Sequence, residues 1–152
     1  MNQPTTSRRK FIKSGSTLAG FSILPSGLRA NSPNGRLQSA HIGVGGKGAV
    51  DTAQIAAHHK TQVVALCDVD RHSLEGRGRK QKSNTKERYP DTKKFQDYRE
   101  MFAAMGDKVD IVSVSTPDHT HYPATIKAIE LGKHVYTQKP LTNNIAEARA
   151  LM

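Results

Sequence analysis

Apolar and polar residues alternate through Ala40, Ile42 and Val44, a period of two that predicts a strand over residues 39–44. Residues 49–57 then carry small apolar side chains at helical spacing. Between the two lies Gly43-Val44-Gly45-Gly46-Lys47-Gly48, so the order is strand, glycine turn, helix. Residues 62–67 form a short continuous apolar run of the buried-strand type. Residues 71–86 are polar and compatible with a helix, though interrupted by Gly76 and Gly78, and Tyr89-Pro90 ends them. Phe95 belongs to a short strand, while Tyr98, Met101, Phe102 and Met105 have the spacing of a helix facing a core. Residues 109–115 are the clearest later strand. A helix over residues 123–131 stopped by Gly132, a strand over 133–137 and the start of a further helix from Asn144 complete the pattern. Strands alternating with helices of this length predict an α/β fold, a doubly wound parallel sheet.

The glycine turn carries the first candidate chemistry. In a G-x-G-x-x-G spacing, Gly43 allows the tight turn, Gly45 lets backbone approach a pyrophosphate, and Gly48 lets the helix pack against the strand. The helix amides then face the phosphates. Gly46 lies within the same loop. Asp68 ends the second strand 20 residues after Gly48, where an acid would hold the adenosine ribose hydroxyls. A tight loop and a helix-capping aspartate would explain either feature alone; their common register favours a dinucleotide site. In such sheets ligands lie outside the carboxyl ends of the strands. Residues 43–48, Asp68, residues 116–121 and residues 138–140 all fall there, so four loops are expected to converge on one crevice.

Charge changes the picture mainly at the N-terminus. Lysine and arginine number 23 against 13 acidic residues, a net charge of +10. Arg8, Arg9, Lys10, Lys13 and Arg29 supply half of it and meet no acid before residue 31. A second basic stretch, residues 71–94, has only Tyr89 to stack on a base and no recognition motif, so it reads as a solvated helix face and not as a nucleic-acid site. The single cysteine, Cys67, excludes an internal disulfide and reads as a buried core thiol. No run approaches the roughly 18 apolar residues of a membrane span.

Ser7-Arg8-Arg9-Lys10-Phe11-Ile12-Lys13, the apolar run that follows and Pro25 resemble a twin-arginine export signal. The resemblance implies residues 1–30 as signal peptide, a cut after Ala30, export to the periplasm and the twin-arginine (Tat) machinery as a partner. It also suits a domain that loads its cofactor before leaving the cytoplasm. No cysteine follows the apolar run, which argues against a stable membrane anchor. Residues 31–36, with Pro33 and Gly35, read as a linker to a domain over residues 37–152.

Ser115-Thr116-Pro117-Asp118-His119-Thr120-His121 and Gly132-Lys133-His134-Val135-Tyr136-Thr137-Gln138-Lys139-Pro140, taken with the glycine loop, resemble the Gfo/Idh/MocA oxidoreductases. The resemblance implies a Rossmann domain truncated before a C-terminal substrate domain. It places Asp68 on ribose, Thr116, Pro117 and His121 along the dinucleotide, and Lys139 at the nicotinamide and the substrate hydroxyl. A lysine beside an oxidised nicotinamide meets a like charge and partial burial, both disfavouring its ammonium form and fitting it to take or return a proton. Alone, Lys139 would read as a surface lysine before a proline. Where the family usually has Glu, this chain has Gln138, a neutral neighbour expected to favour the uncharged lysine. Gln138→Glu in a completed enzyme is then expected to move a pH–rate limb upward.

NAD is expected over NADP, because Asp68 would repel a 2′-phosphate, with Arg71 near enough to keep NADP open. His58 and His59 read as exposed. His119 and His121 could pair on a metal, but with only Asp118 nearby no metal site is expected. The sequence stops inside a helix, so a fragment or truncated product is expected, with an exposed sheet face prone to poor solubility or to exchange with a partner, a homo-oligomer included. Such a chain would bind a dinucleotide weakly and turn over nothing. Three functions stay open: an exported oxidoreductase acting on a sugar or cyclitol hydroxyl, a glycoside hydrolase using transient oxidation by bound NAD, and a non-catalytic dinucleotide-binding module.

Overall fold

The computed structural model describes residues 35–76 and 88–152. The expected signal peptide, most of the linker and the larger part of the predicted 71–86 helix lie outside the described residues. Five strands, β1 (Leu37–Ile42), β2 (Thr61–Cys67), β3 (Lys93–Phe95), β4 (Ile111–Val114) and β5 (His134–Thr137), form one sheet in the order β3-β2-β1-β4-β5. Every pairing is parallel. The α-helices bounded within the described residues are α1 (Lys47–Ala56), α2 (Arg71–Leu74), α3 (Tyr98–Met105), α4 (His121–Glu130) and α5 (Ile145–Ala150). The chain leaves β1 toward β3 and then crosses to β4 on the other side. The order therefore reverses between β1 and β4, where doubly wound sheets open a ligand crevice.

Local chemistry sets the element ends. β1 stops at Ile42, two residues before its predicted end, because Gly43 takes a φ of 80° and turns the chain into the loop before α1. Asp97 caps α3 by accepting from the Arg99 amide at 2.8 Å. Asn144 caps α5 from the Glu147 amide at 2.9 Å while Glu147 Oε2 accepts from the Asn143 amide at 2.7 Å. Gly132, with φ 69°, follows α4 as predicted.

The two sides of the sheet differ in chemistry. Ala40, Ile42, Ala65, Cys67, Val112 and Val114 point to one side and pack with Met101, Phe102 and Met105 of α3 and with Ala124 and Ala128 of α4. Burial there pushes the Cys67 thiol up to about 12, with Asp68, Asp97 and Glu100 adding to the effect, as suits an inert core thiol. The opposite side carries Ser39, His41 and Ser113, all buried, beneath α1, whose buried residues are Gly48, Asp51 and Thr52, beside a smaller apolar cluster of Val44, Leu66 and Leu74. His41 Nδ1 lies 2.6 Å from Ser113 Oγ and Nε2 lies 3.0 Å from Ser39 Oγ. Burial lowers its pKa to about 4, although the nearby Asp51 charge opposes the shift.

Candidate functional site: a crevice at the carboxyl edge

The loops after β1, β2 and β4, with Gln96 and Tyr98 following β3, enclose a crevice of about 470 Å³. Of the residues the sequence singled out, Gly43, Gly45, Asp68, Thr116 and Pro117 line it, and His119 joins them. The glycines hold the loop against its surroundings. A Cβ on Gly43 would lie 2.6 Å from the Ser115 carbonyl oxygen, one on Gly45 2.8 Å from Ser73 Oγ, and one on Gly48 would overlap the Gly43 carbonyl oxygen. Gly48 therefore acts behind the crevice, letting α1 close on the loop, and Gly46 has a φ of 51° with open space around it. This cradle fits the phosphates of a dinucleotide: small residues on the approach side and the first-turn amides of a ten-residue helix at the end of the loop.

Asp68 has a second occupation that the sequence did not reveal. Its Oδ2 accepts from the amides of Val44 at 2.8 Å and Gly45 at 3.2 Å, and Oδ1 accepts from the Asp70 amide at 2.9 Å. Of the roughly four lone-pair positions on a carboxylate, two brace the glycine loop and one the turn to Asp70, leaving one without a partner among the described residues. Asp70 in turn caps α2 and accepts from Ser73 Oγ at 3.1 Å. Thr116 Oγ1 is buried without a hydrogen-bond partner among the described residues, a hydroxyl left over at the crevice wall.

Three sequence-named residues stand elsewhere. His121, expected along the dinucleotide, is 1% exposed and does not line the crevice. Its Nδ1 lies 2.6 Å from the Pro140 carbonyl oxygen and its Nε2 2.7 Å from that of Thr116, so it joins the loops after β4 and β5. The reason is its position at the start of α4, where the side chain is buried between the two loops. Gln138 and Lys139 also lie outside the crevice lining, on the neighbouring loop, so three of the four expected loops enclose it and the fourth adjoins it. Lys139, exposed, precedes Pro140 through a cis peptide bond. Gln138, read from sequence as a neutral neighbour of Lys139, turns its amide to Asp51 Oδ2 at 2.8 Å and Tyr136 Oη at 3.1 Å.

Asp51 is the residue that sequence reasoning missed. Only 3% exposed, it accepts from Lys47 Nζ at 2.7 Å, Ser115 Oγ at 2.8 Å and Gln138 Nε2. Burial raises its pKa, but the hydrogen bonds from Lys47, Gln138 and Ser115, with the lysine charge, outweigh that and leave it below the ordinary carboxylate range. The available signal was its place on the Gly48–Thr52 stripe of α1, an acid on a face that otherwise packs inward.

A parallel sheet with this strand order and a glycine cradle at its switch point defines a dinucleotide-binding α/β domain. Residues 37–152 match the oxidoreductase family with an NAD-binding Rossmann fold, and the chain belongs to this Gfo/Idh/MocA family. It is 40% identical over 62 residues to a D-xylose 1-dehydrogenase (NADP(+)) of Hypocrea jecorina, covering 41% of this chain and 15% of that protein. It is 29% identical over 110 residues to an alpha-N-acetylgalactosaminidase of Shewanella oneidensis, covering 70% of this chain and 23% of that one. The crystal structure of GenD2 from gentamicin A biosynthesis, in complex with NAD, superposes with a TM-score of 0.63 at 27% identity, over 76% of this chain and 30% of that one. The chain thus spans less than a third of each of these relatives.

Proposed function

We propose that this chain is the dinucleotide-holding part of an NAD-dependent oxidoreductase acting on a sugar or cyclitol hydroxyl, exported by the twin-arginine route to the periplasm. The observation that carries the reading is the convergence of Gly45, Asp68 and Thr116-Pro117 on one crevice at the switch point. Gly43, Gly45 and Gly46 would cradle the pyrophosphate, with Gly48 letting α1 close on the loop and the α1 amides facing the phosphates. Asp68 would offer its remaining lone pair to the adenosine ribose, and its charge favours NAD over NADP, although the xylose dehydrogenase relative names NADP(+). Bound there, the nicotinamide would supply hydride acceptance. Lys139, on the adjoining loop, would hold the substrate hydroxyl proton and return it. Outside the cytoplasm no free pool would reoxidise a released cofactor, so retention between turnovers fits export.

A second reading has a specific support. The match to the alpha-N-acetylgalactosaminidase runs over 70% of this chain, and a retained, recycled cofactor suits a hydrolase that oxidises its sugar transiently. Calorimetric titration of the chain with NAD and NADP tests the common part: saturable NAD binding, weakened about tenfold or more by Asp68→Ala, is expected. Binding indifferent to that change would reject the site. With the complete gene product, aglycone release without NADH accumulation selects the hydrolase; sugar-dependent NADH formation selects the oxidoreductase. NAD binding with neither activity selects a non-catalytic module.

A further inference from the structure

Lys139 is an exposed residue between two anchored neighbours. On one side, the Gln138 amide donates to the Val114 carbonyl at 2.9 Å and its side chain donates to Asp51. On the other, the Pro140 carbonyl meets His121. Asp51 reaches three elements at once: Lys47 in the first turn of α1, Ser115 after β4 and Gln138 after β5. It is a buried acceptor whose partners come from the glycine-loop helix and from both later loops.

We propose that Asp51 is a positioning residue. By holding Gln138 while bonded to Lys47 and Ser115, it fixes Lys139 relative to the glycine loop, with His121 holding the far side of the same turn. The inference rests on the reading of Lys139 as the proton-handling lysine, but its physical content, the placement of residues 138–140, is separable from that reading. A charged acceptor strengthens each of its hydrogen bonds, so loss of the carboxylate releases the loop more than loss of a neutral acceptor would. It also explains why Gln fits at position 138. A glutamate there would bring a second carboxylate against Asp51, so Gln138→Glu perturbs this network before it acts on Lys139.

The test is a swap cycle on the full chain: Asp51→Asn, Gln138→Glu and the double variant, which restores an amide–carboxylate pair with its polarity reversed. Amide hydrogen exchange is read at Gln138 and, as an internal reference, at Ala40 in the core of β1. Each single variant is expected to speed exchange at Gln138 by about tenfold or more relative to Ala40, and the double to recover to within about threefold of the parent. Equal acceleration at both amides, or a double variant as fast as the two singles combined, would overturn the positioning role. Where Asp51→Asn fails to fold, Gln138→Ala removes the contact from the loop side and carries the same exchange expectation. A second arm compares affinity for NAD with that for ADP-ribose, which lacks the nicotinamide. The single variants are expected to weaken NAD by about tenfold more than ADP-ribose. Equal weakening would reject a role at Lys139. Failure of the parent to bind either ligand would reject the dinucleotide reading alone, because the exchange arm still decides the placement.

Discussion

The two sides of the sheet bury their strand residues by different means. Beneath α3 and α4 the contacts are Ala, Val, Ile, Met and Phe, interchangeable in kind and held by area and fit. Beneath α1 the sheet presents Ser39, His41 and Ser113, the helix answers with Gly48, Asp51 and Thr52, and apolar packing is confined to a smaller cluster of Val44, Leu66 and Leu74. A dry face tolerates volume-conserving exchange, whereas a polar face requires that each group find its partner. The partners on the α1 side extend into loops at the carboxyl edge, through Ser115 and Gln138, so this is the face that transmits order to the crevice. The apolar side supplies cohesion and the polar side supplies register between loops.

The contrast breaks most severely where α1 touches the loop. Gly48→Ala would drive a Cβ into the Gly43 carbonyl oxygen, a backbone atom with no side-chain freedom to yield. The helix must lift from the sheet, unsealing His41 and Asp51 together, and a loss of about 4 kcal/mol is expected in urea unfolding. Gly46→Ala serves as the control for backbone strain without overlap, since its φ is positive but its surroundings are open. Equal losses for the two variants would show that close packing of α1 is not what holds the polar side.

His41 gives the polar face a pH signature that the apolar face lacks. Its ring is lowered from 6.5 to about 4 in the folded chain by burial, against the opposing charge of Asp51. Between those values the unfolded chain binds the proton and the folded chain does not. Stability from this group is therefore complete above about pH 6.5 and falls as pH drops through 4. The expected loss from pH 7 to pH 4 is about 3 kcal/mol at a fully buried site. Asp51, whose pKa is lowered from 3.8, adds a loss of the same sign at more acid pH. Chemical unfolding across pH 7 to 4 for the parent and for His41→Asn separates the two: the variant is expected to lose the slope in that window. A slope retained in His41→Asn would assign the pH dependence elsewhere.

How much of this was legible follows from how each face is encoded. The apolar side writes itself into the sequence, because a shared core imposes a period of two on Ala40 and Ile42 and helical spacing on Tyr98, Met101, Phe102 and Met105, while Val44, past the strand end, packs instead with Leu66 and Leu74. Glycines are legible for the same reason: few other residues satisfy a φ of 80° at Gly43 or the closeness at Gly48. The polar side is written in residues whose types also suit solvent. Asp51, four residues after Lys47, has the spacing of an ordinary helical ion pair, and only the fold brings Ser115 and Gln138, 64 and 87 residues away, onto the same carboxylate. His121 was legible as part of a motif but not as a clasp, because its two carbonyl partners sit on different loops.

The smallest expected effect sharpens the comparison on the apolar side, where one polar pair intrudes. Thr125 of α4 and Thr137 of β5 share a hydrogen bond of 2.6 Å between their hydroxyls. Either single change to valine leaves the other hydroxyl without that partner and is expected to cost about 1 kcal/mol. The double change removes both polar groups while keeping the branched shapes, and is expected to fall within about 0.5 kcal/mol of the parent. The same logic fails across the sheet. Ser113→Ala strips His41 Nδ1 of its partner beneath a helix that admits no replacement, and no apolar substitution of the serine restores the lost bond. Thermal unfolding of the three threonine variants therefore asks whether the face under α4 treats hydroxyls as dispensable filling. A double variant as costly as its two singles summed would make that face polar in function too, and the division between the sides would not stand.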